Sequence, residues 1–493
     1  MSSAAAVARG RDILRDRRLA VVALLVVSIG WLVASRLAVS PHLRLGYDEA
    51  VYLSQASTRP HLVWTAPRAY GLPLLVWPVA HYTASLGITR SYLSGLSSAF
   101  MFLAYLPWVR ICRWTAVTAA LLFASLWVST FYSSQAMPNL FTALAGVGGV
   151  GSVAVALVRR RRSYLAAAVF AFGVMSLVRP SDAVYAIVPV LVALAAFRTP
   201  ARAARLRAGG AALLGLAIGW GFWTVEAFVN FGGPLHRLRE ASSQDGGLHF
   251  NLRFLAHTVS GPVAGRAVHA AAATRLWWWL MWPLALLGVW FARGAARRAY
   301  VLCAAAAAGV FVQYLFFIKV EAPGPRVLLP VYALLSVPVA QALISAVRRC
   351  RAGAWRIAAA TAVVLLVLVN SLGQYSLVRV NARQQAAVRA APYQVVDQLR
   401  AAGVREPCVL AGPNLPVIAY ELGCHEVRGL PTPADVERAR AHGYTLHAVL
   451  WDTPSVLRLG PRYEERLAGW QLVRLPRPSG HETLLFTDVP AGP

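Results

Sequence analysis

The sequence predicts a polytopic α-helical membrane protein with about eleven transmembrane helices and a small extracytoplasmic α/β domain at its C-terminus. Three observations predict this. Apolar stretches long enough to span a bilayer recur from Leu19 to about Leu377. Arginine is concentrated in the short breaks between those stretches. Beyond Ala390 the composition changes, and acids and bases come into rough balance.

Bulk composition agrees with the first observation. Of 493 residues, 58% are hydrophobic and 14% charged, with a mean hydropathy of +0.54. Soluble proteins carry about a quarter charged residues. The formal net charge of +28 suggests nucleic acid at first sight, but nucleic-acid binders gather their basic residues on one solvent-facing surface. Here they punctuate apolar runs, as topology signals do. The basicity therefore faces anionic lipid on the cytoplasmic side of a plasma membrane, and no nucleic-acid partner is expected.

Taken in order, residues 1–18 form a cytoplasmic tail with Arg9, Arg11, Arg15, Arg17 and Arg18. The first span, Leu19 to Val39, has no separate small-residue cleavage site and reads as a retained helix. Leu72 to Leu86 contains Pro73, Pro78 and His81 and reads as a segment lying on the outer surface. With that choice the other spans fall at about 92–109, 114–131, 140–158, 164–178, 183–197, 210–229, 277–292, 300–318, 327–347 and 357–377. Every Arg-rich break then lies inside: Arg110 and Arg113; Arg159 to Arg162; Arg198 to Arg207; Arg293 to Arg298; and Arg348 to Arg356. The membrane domain covers 19–380, with outer loops at 40–91 and 230–276, and an odd number of spans places residues 390–493 outside.

In that last region Tyr393 to Ala402, Pro416 to Leu422 and Pro433 to Ala441 read as helices. Cys408 to Ala411, His447 to Trp451 and Thr483 to Thr487 read as strands. The alternation suggests a small α/β domain. No glycine-rich phosphate fingerprint follows any strand. Cys408 and Cys424 can pair in an oxidising compartment, or stand as two buried thiols; the sequence leaves both open.

Carboxylates are scarce before residue 390. Apart from Asp12 and Asp16 in the tail, they are Asp48, Glu49, Asp182, Glu226, Glu240, Asp245 and Glu321, all on the outer side or within about two turns of it. An ion-coupled transporter places ionisable groups near the bilayer midplane. An enzyme acting at the outer surface places them at helix ends and in outer loops, as here. In Gly46-Tyr47-Asp48-Glu49-Ala50-Val51-Tyr52 the adjacent carboxylates repel, which favours a raised pKa and a usable general base; a solvated acidic turn is the bland alternative. Arg179-Pro180-Ser181-Asp182 and Glu321-Ala322-Pro323-Gly324-Pro325-Arg326 each put an Arg at the interface, where a lipid phosphate lies. Snorkelling at a helix end is the competing reading. Gln135 to Asn139 reads as a helix start. His249, His257 and His269 have no compact metal spacing, so no metal is assigned there.

Together these segments resemble the C-type (GT-C) membrane glycosyltransferases, the group of the protein O-mannosyltransferases and bacterial aminoarabinose transferases (glycosyltransferase family 39-like). The resemblance covers about residues 40–380. It rests on the acidic pair after the first span, the Gly-x-Pro-Leu-Leu surface segment, Arg-Pro-x-Asp, and Pro-x-Arg-x-Leu-Leu-Pro. It implies transfer of a sugar, with inversion, from a polyprenyl-phosphate donor in the bilayer to a glycan, lipid or protein acceptor. By the match, Asp48 is the general base and Glu49 supports it. Arg326, Arg179 and Arg68 hold the donor phosphate, and Tyr52, Asp182 and Glu321 line the sugar and acceptor pocket. Two departures are plain. Tyr70-Gly71-Leu72-Pro73 stands where the aminoarabinose transferases carry Lys-Pro-Pro, and no Trp-Trp-Asp signature is present. No cofactor is carried over, and a divalent metal is left open. A flippase of lipid-linked saccharide shares the spans and the outer Arg residues, and an envelope scaffold shares the domain order.

Overall fold

The computed structural model describes residues 3–159, 161–244, 247, 250, 272–316, 325–451, 463, 465–476 and 482–488. Glu321, Asp245, His249, His257 and His269 lie outside the described residues. The chain divides into two compact units. The first holds residues 1–41, 66–72 and 90–382; the second holds 42–65, 73–89 and 383–493. Segments 42–65 and 73–89, read from the sequence as outer loop of the membrane domain, thus fold with the C-terminal region.

The first unit is helical. Seven described helices are long and apolar enough to cross a membrane by length and composition, and five shorter apolar helices accompany them. Each expected span coincides with a helix except 114–131, which is broken into Trp114–Ala124 and Trp127–Tyr132. Side chains supply hydrogen bonds at the break. Ser129 Oγ donates to the Phe123 carbonyl (2.6 Å), Thr130 Oγ1 to that of Ala124 (3.0 Å), and the Trp127 N–H donates to Gln374 Oε1 (3.0 Å). A break inside a membrane domain is tolerated only with such replacement partners.

Pro138–Arg159 is the central helix, with 94% of its most apolar window buried, whereas only 6% of the corresponding window is buried in the segment starting at Ala354. Its glycines explain the close packing: a Cβ on Gly149 would lie 2.7 Å from the Phe172 ring, and one on Gly151 would lie 2.5 Å from the Trp108 indole. Small residues let membrane helices approach this closely. Peripheral helices turn Leu19, Val22, Val26, Val364, Leu366 and Val369 outward, which suits a lipid solvent.

Contacts between the Arg-rich breaks collect them. Arg113 Nη1 lies 3.0 Å from Asp16 of the N-terminal tail, and the Arg110 guanidinium lies over the Tyr164 ring, next to the Arg159–Arg162 break. Arg298 Nη1 donates to Thr199 Oγ1 (3.1 Å), and Arg349 stacks on Phe291. The Arg162–Val178 and Pro180–Ala196 helices meet at Arg179, at the ends remote from these breaks.

The second unit is built on a five-stranded mixed sheet of order β2-β1-β3-β5-β4. Its strands are β1 Cys408–Gly412, β2 His425–Arg428, β3 Thr445–Leu450, β4 Gln471–Pro476 and β5 Glu482–Thr487. The β1 strand runs parallel to both β2 and β3, while β5 runs antiparallel to β3 and β4. Helices Ala390–Ala401, Pro416–Leu422 and Pro433–Ala441 connect or flank it. Val409, Leu446, Leu450, Tyr463, Leu484 and Phe486 form its core. Cys408 and Cys424 are disulfide-bonded. Gly71–Ala80 is a ten-residue helix, about 15 Å long and too short to cross a hydrocarbon core of about 30 Å.

Candidate active site

The Asp48 segment forms an eight-residue helix, Tyr47–Ser54, within the second unit. Asp48 and Glu49 fall in its first turn, where carboxylates complement the helix dipole. Their environments differ. Glu49 is buried, with 1% of its surface exposed. Its Oε2 accepts from the Gly46 N–H (3.1 Å) and lies 2.8 Å from Arg389 Nη1. Asp48 is partly exposed. The repulsion expected between neighbouring carboxylates is relieved because Arg389 neutralises one of them. Tyr52 lies one turn beyond Asp48, is 7% exposed, and packs edge-on against Trp64 at 5.7 Å between ring centres.

Arg389 is itself buried and also donates to the Arg44 carbonyl (2.8 Å) and to Gln385 Oε1 (3.3 Å). Nearby, the Tyr393 hydroxyl accepts from the Leu45 N–H (3.2 Å) and donates to Glu421 (2.9 Å). Burial, with Glu421 adding to it, pushes this phenol above its ordinary pKa, so it stays a donor at neutral pH.

The first unit holds a separate polar cluster at the Arg179 junction. Asp182 is fully buried; its Oδ2 lies 3.1 Å from Arg179 Nε. The Tyr314 hydroxyl donates to Asp182 Oδ1 (2.8 Å) and accepts from Arg179 Nη2 (2.7 Å). Gln313 Nε2 also donates to Asp182 Oδ1 (3.1 Å), while its own Oε1 is buried with no partner among the described residues. About a quarter of the Arg179 side chain, 23%, remains exposed. A partly exposed guanidinium is suited to an anion.

Arg68 is partly exposed, and its carbonyl accepts from Arg237 Nη2 (2.7 Å). The Arg68 segment meets the end of the Arg179 helix through Gly71, where a Cβ would lie 2.4 Å from the Leu177 carbonyl. Only glycine permits that approach. Burial, with Glu226 adding to it, pushes the Tyr70 hydroxyl above its ordinary pKa. Arg326 is partly exposed in the 3-10 turn Pro325–Leu328.

Sequence reasoning missed Arg389, Tyr314, Gln313 and Arg237. For Arg389 the sequence held no local signal, because Glu49 stands 340 residues earlier. For Arg237 the available signal was a cation eleven residues after Glu226, at the end of a span.

No protein-family model matches the sequence, and no curated protein does. Solved structures do. ArnT from Cupriavidus metallidurans, in the structure bound to undecaprenyl phosphate, is 14% identical with a TM-score of 0.59, over 95% of this chain and 98% of that one. The apo structure of the same protein gives a TM-score of 0.61 at 14% identity and the same coverage. This chain shares the fold of ArnT. An oligosaccharyltransferase from Archaeoglobus fulgidus, tethered to an acceptor peptide, also matches, at 13% identity and a TM-score of 0.49 over 93% of this chain and 73% of that one. Within that fold, the candidate residues include buried charge in the acidic helix after the first span and at the Arg179 junction.

Proposed function

We propose that the protein transfers a sugar from a polyprenyl-phosphate donor to an acceptor hydroxyl, with inversion, at the outer surface of the plasma membrane. The observation that carries this reading is the division of labour in the acidic pair. Glu49 is buried against Arg389 and the helix start, whereas Asp48, on the same turn, is partly exposed and in this reading is the carboxylate that takes the proton. The fold shared with ArnT, whose solved structure holds undecaprenyl phosphate, supports a polyprenyl-phosphate donor.

In this reading Asp48 deprotonates the acceptor hydroxyl as it attacks the anomeric carbon. Arg179, oriented by Asp182 and Tyr314, binds the donor phosphate, with Arg326 and Arg68 in the same task. Positive charge placed there stabilises the phosphate as it leaves. Asp182, fully buried under Arg179, acts through that Arg more directly than as a lining of the sugar pocket. Tyr52 bounds the acceptor side, and Glu321 keeps its sequence-based assignment to the pocket. The Cys408–Cys424 disulfide supports an extracytoplasmic C-terminal domain, and with it a cytoplasmic N-terminus.

The test is transfer from radiolabelled polyprenyl-phosphate sugars by purified protein, comparing wild type with Asp48→Asn. Donor-dependent transfer, or slow donor hydrolysis, should fall by about 100- to 10,000-fold in the variant while donor binding is retained. Donor movement across vesicles that is indifferent to Asp48→Asn would replace this reading with a flippase.

A further inference from the structure

We propose that the C-terminal domain is a positioning element for the helix that carries Asp48, with Arg389 as the principal positioning residue. The inference rests on the reading of Asp48 as the base.

An eight-residue helix is too short to hold itself together in water, so Tyr47–Ser54 needs external anchors. Arg389 supplies them at the first turn. Its guanidinium bonds Glu49 Oε2 and the Arg44 carbonyl, the residues bracketing the helix start, and Gln385 Oε1 steadies it from behind. It also passes so close to Gly46 that a Cβ there would lie 3.3 Å from Nη2. Asp48 stands between Gly46 and Glu49 in sequence, so the turn that aims it is gripped on both sides.

The grip extends into the folded domain. The Arg44 guanidinium lies 4.7 Å from the Tyr393 ring centre, and its Nη1 donates to the Ala390 carbonyl (3.3 Å). Tyr393 joins the Leu45 N–H to Glu421. Farther along, Arg59 donates to the Tyr420 carbonyl and lies over its ring. The Val63 N–H donates to Glu426 (3.1 Å), and Arg428 Nη2 donates to the Tyr47 hydroxyl (3.1 Å). Residues 44–63 are thus tied to residues 389–428 along their length, by Arg389 and by groups on the Ala390–Ala401 and Pro416–Leu422 helices and on β2. Catalytic groups demand this, since misplacement by about 1 Å costs on the order of 100-fold in rate.

The experiment uses the full-length protein in nanodiscs, with Arg389→Ala and Arg389→Lys. Hydrogen exchange is read for residues 44–55, for the central helix 138–159 and for β1 and β3. Transfer is read as kcat and donor KM across pH. In Arg389→Ala, exchange should rise in 44–55 and stay unchanged in the other peptides, and kcat should fall about 100-fold with donor KM held. The acid limb of kcat should move to higher pH, because Glu49 is no longer neutralised and its charge disfavours a second charge on the adjacent carboxylate. Arg389→Lys keeps the charge but loses the planar fork, so it should hold the acid limb in place and recover part of kcat; it also carries the comparison if the Ala variant does not fold. Unchanged exchange in 44–55 would overturn the positioning role, and so would a rise spread evenly over all peptides. Release of 44–55 alone, in a protein whose wild type transfers no sugar from any polyprenyl-phosphate donor, would overturn the proposed function and leave the positioning role standing.

Discussion

Arg237 and Glu226 form a buried ion pair at 2.9 Å, with side chains 0% and 5% exposed, at the junction of the Arg202–Asn230 and Pro234–Gln244 helices. Three further guanidinium N–H groups donate to the carbonyls of Ala66, Arg68 and Trp223. One side chain therefore joins the Arg68 segment to the end of a long helix. Removing either partner leaves a buried charge uncompensated, which costs about 3–5 kcal/mol. Arg237→Met and Glu226→Leu should each lower the melting temperature of the detergent-solubilised protein markedly. The Arg237→Met, Glu226→Leu double variant should cost less than the two single changes added together. Additive losses in the cycle would show that the pair is not coupled.

The Arg179 cluster makes a different prediction, on binding. Asp182→Asn keeps the shape but removes the charge that orients Arg179, and Tyr314→Phe removes the hydroxyl bridging the two. A hydrogen bond to a charged group contributes about 1.5–3 kcal/mol. Each change should therefore weaken binding of polyprenyl phosphate by roughly tenfold or more, measured by titration without acceptor. Loss of kcat with unchanged affinity would instead place Asp182 at the reacting sugar.

The helical framework was legible because its signals are local: apolar runs of bilayer length and Arg in the breaks between them. The break at Ser125–Leu126 was not, because the groups that make it tolerable include Gln374, 247 positions away. The same distance hides Arg389, whose partner Glu49 is 340 residues earlier. Adjacent carboxylates drew attention to the Asp48 turn, but their sequence gives no sign that Glu49 is buried against Arg389 while Asp48 is partly exposed. In the C-terminal domain, His425-Glu426-Val427-Arg428 carries too little apolar alternation to read as a strand. It becomes β2 by pairing with β1, itself read in advance from its apolar run. The edge strand β4 escaped for the same reason.

The Cys408–Cys424 bond predicts both stability and sidedness. It closes a loop with a sequence separation of 16, running from the start of β1 to the residue before β2. A loop of that size is worth about 3 kcal/mol in the chain-entropy view. Cys408→Ser should lower the stability of the C-terminal domain by a comparable amount. In intact cells the pair should resist a membrane-impermeant maleimide until a reductant is added. Labelling that requires permeabilised membranes would put the domain on the cytoplasmic side.

His447 carries the pH dependence. It sits on β3, 7% exposed, with Nδ1 3.0 Å from Thr487 Oγ1 on β5, and burial lowers its pKa from 6.5 to about 4. Because the unfolded chain takes up this proton first, the folded state gains nothing from His447 titration above pH 6.5 and loses stability as pH falls from there toward 4. A shift of this size amounts to about 3 kcal/mol at the acid end. Carboxylates titrate over part of the same range, so the comparison has to be between variants. His447→Gln keeps a polar contact toward Thr487 without a titrating ring, and it should show a shallower fall in melting temperature between pH 6.5 and 4.5 than wild type. Parallel curves for the two proteins would mean that His447 protonates as readily in the fold as outside it.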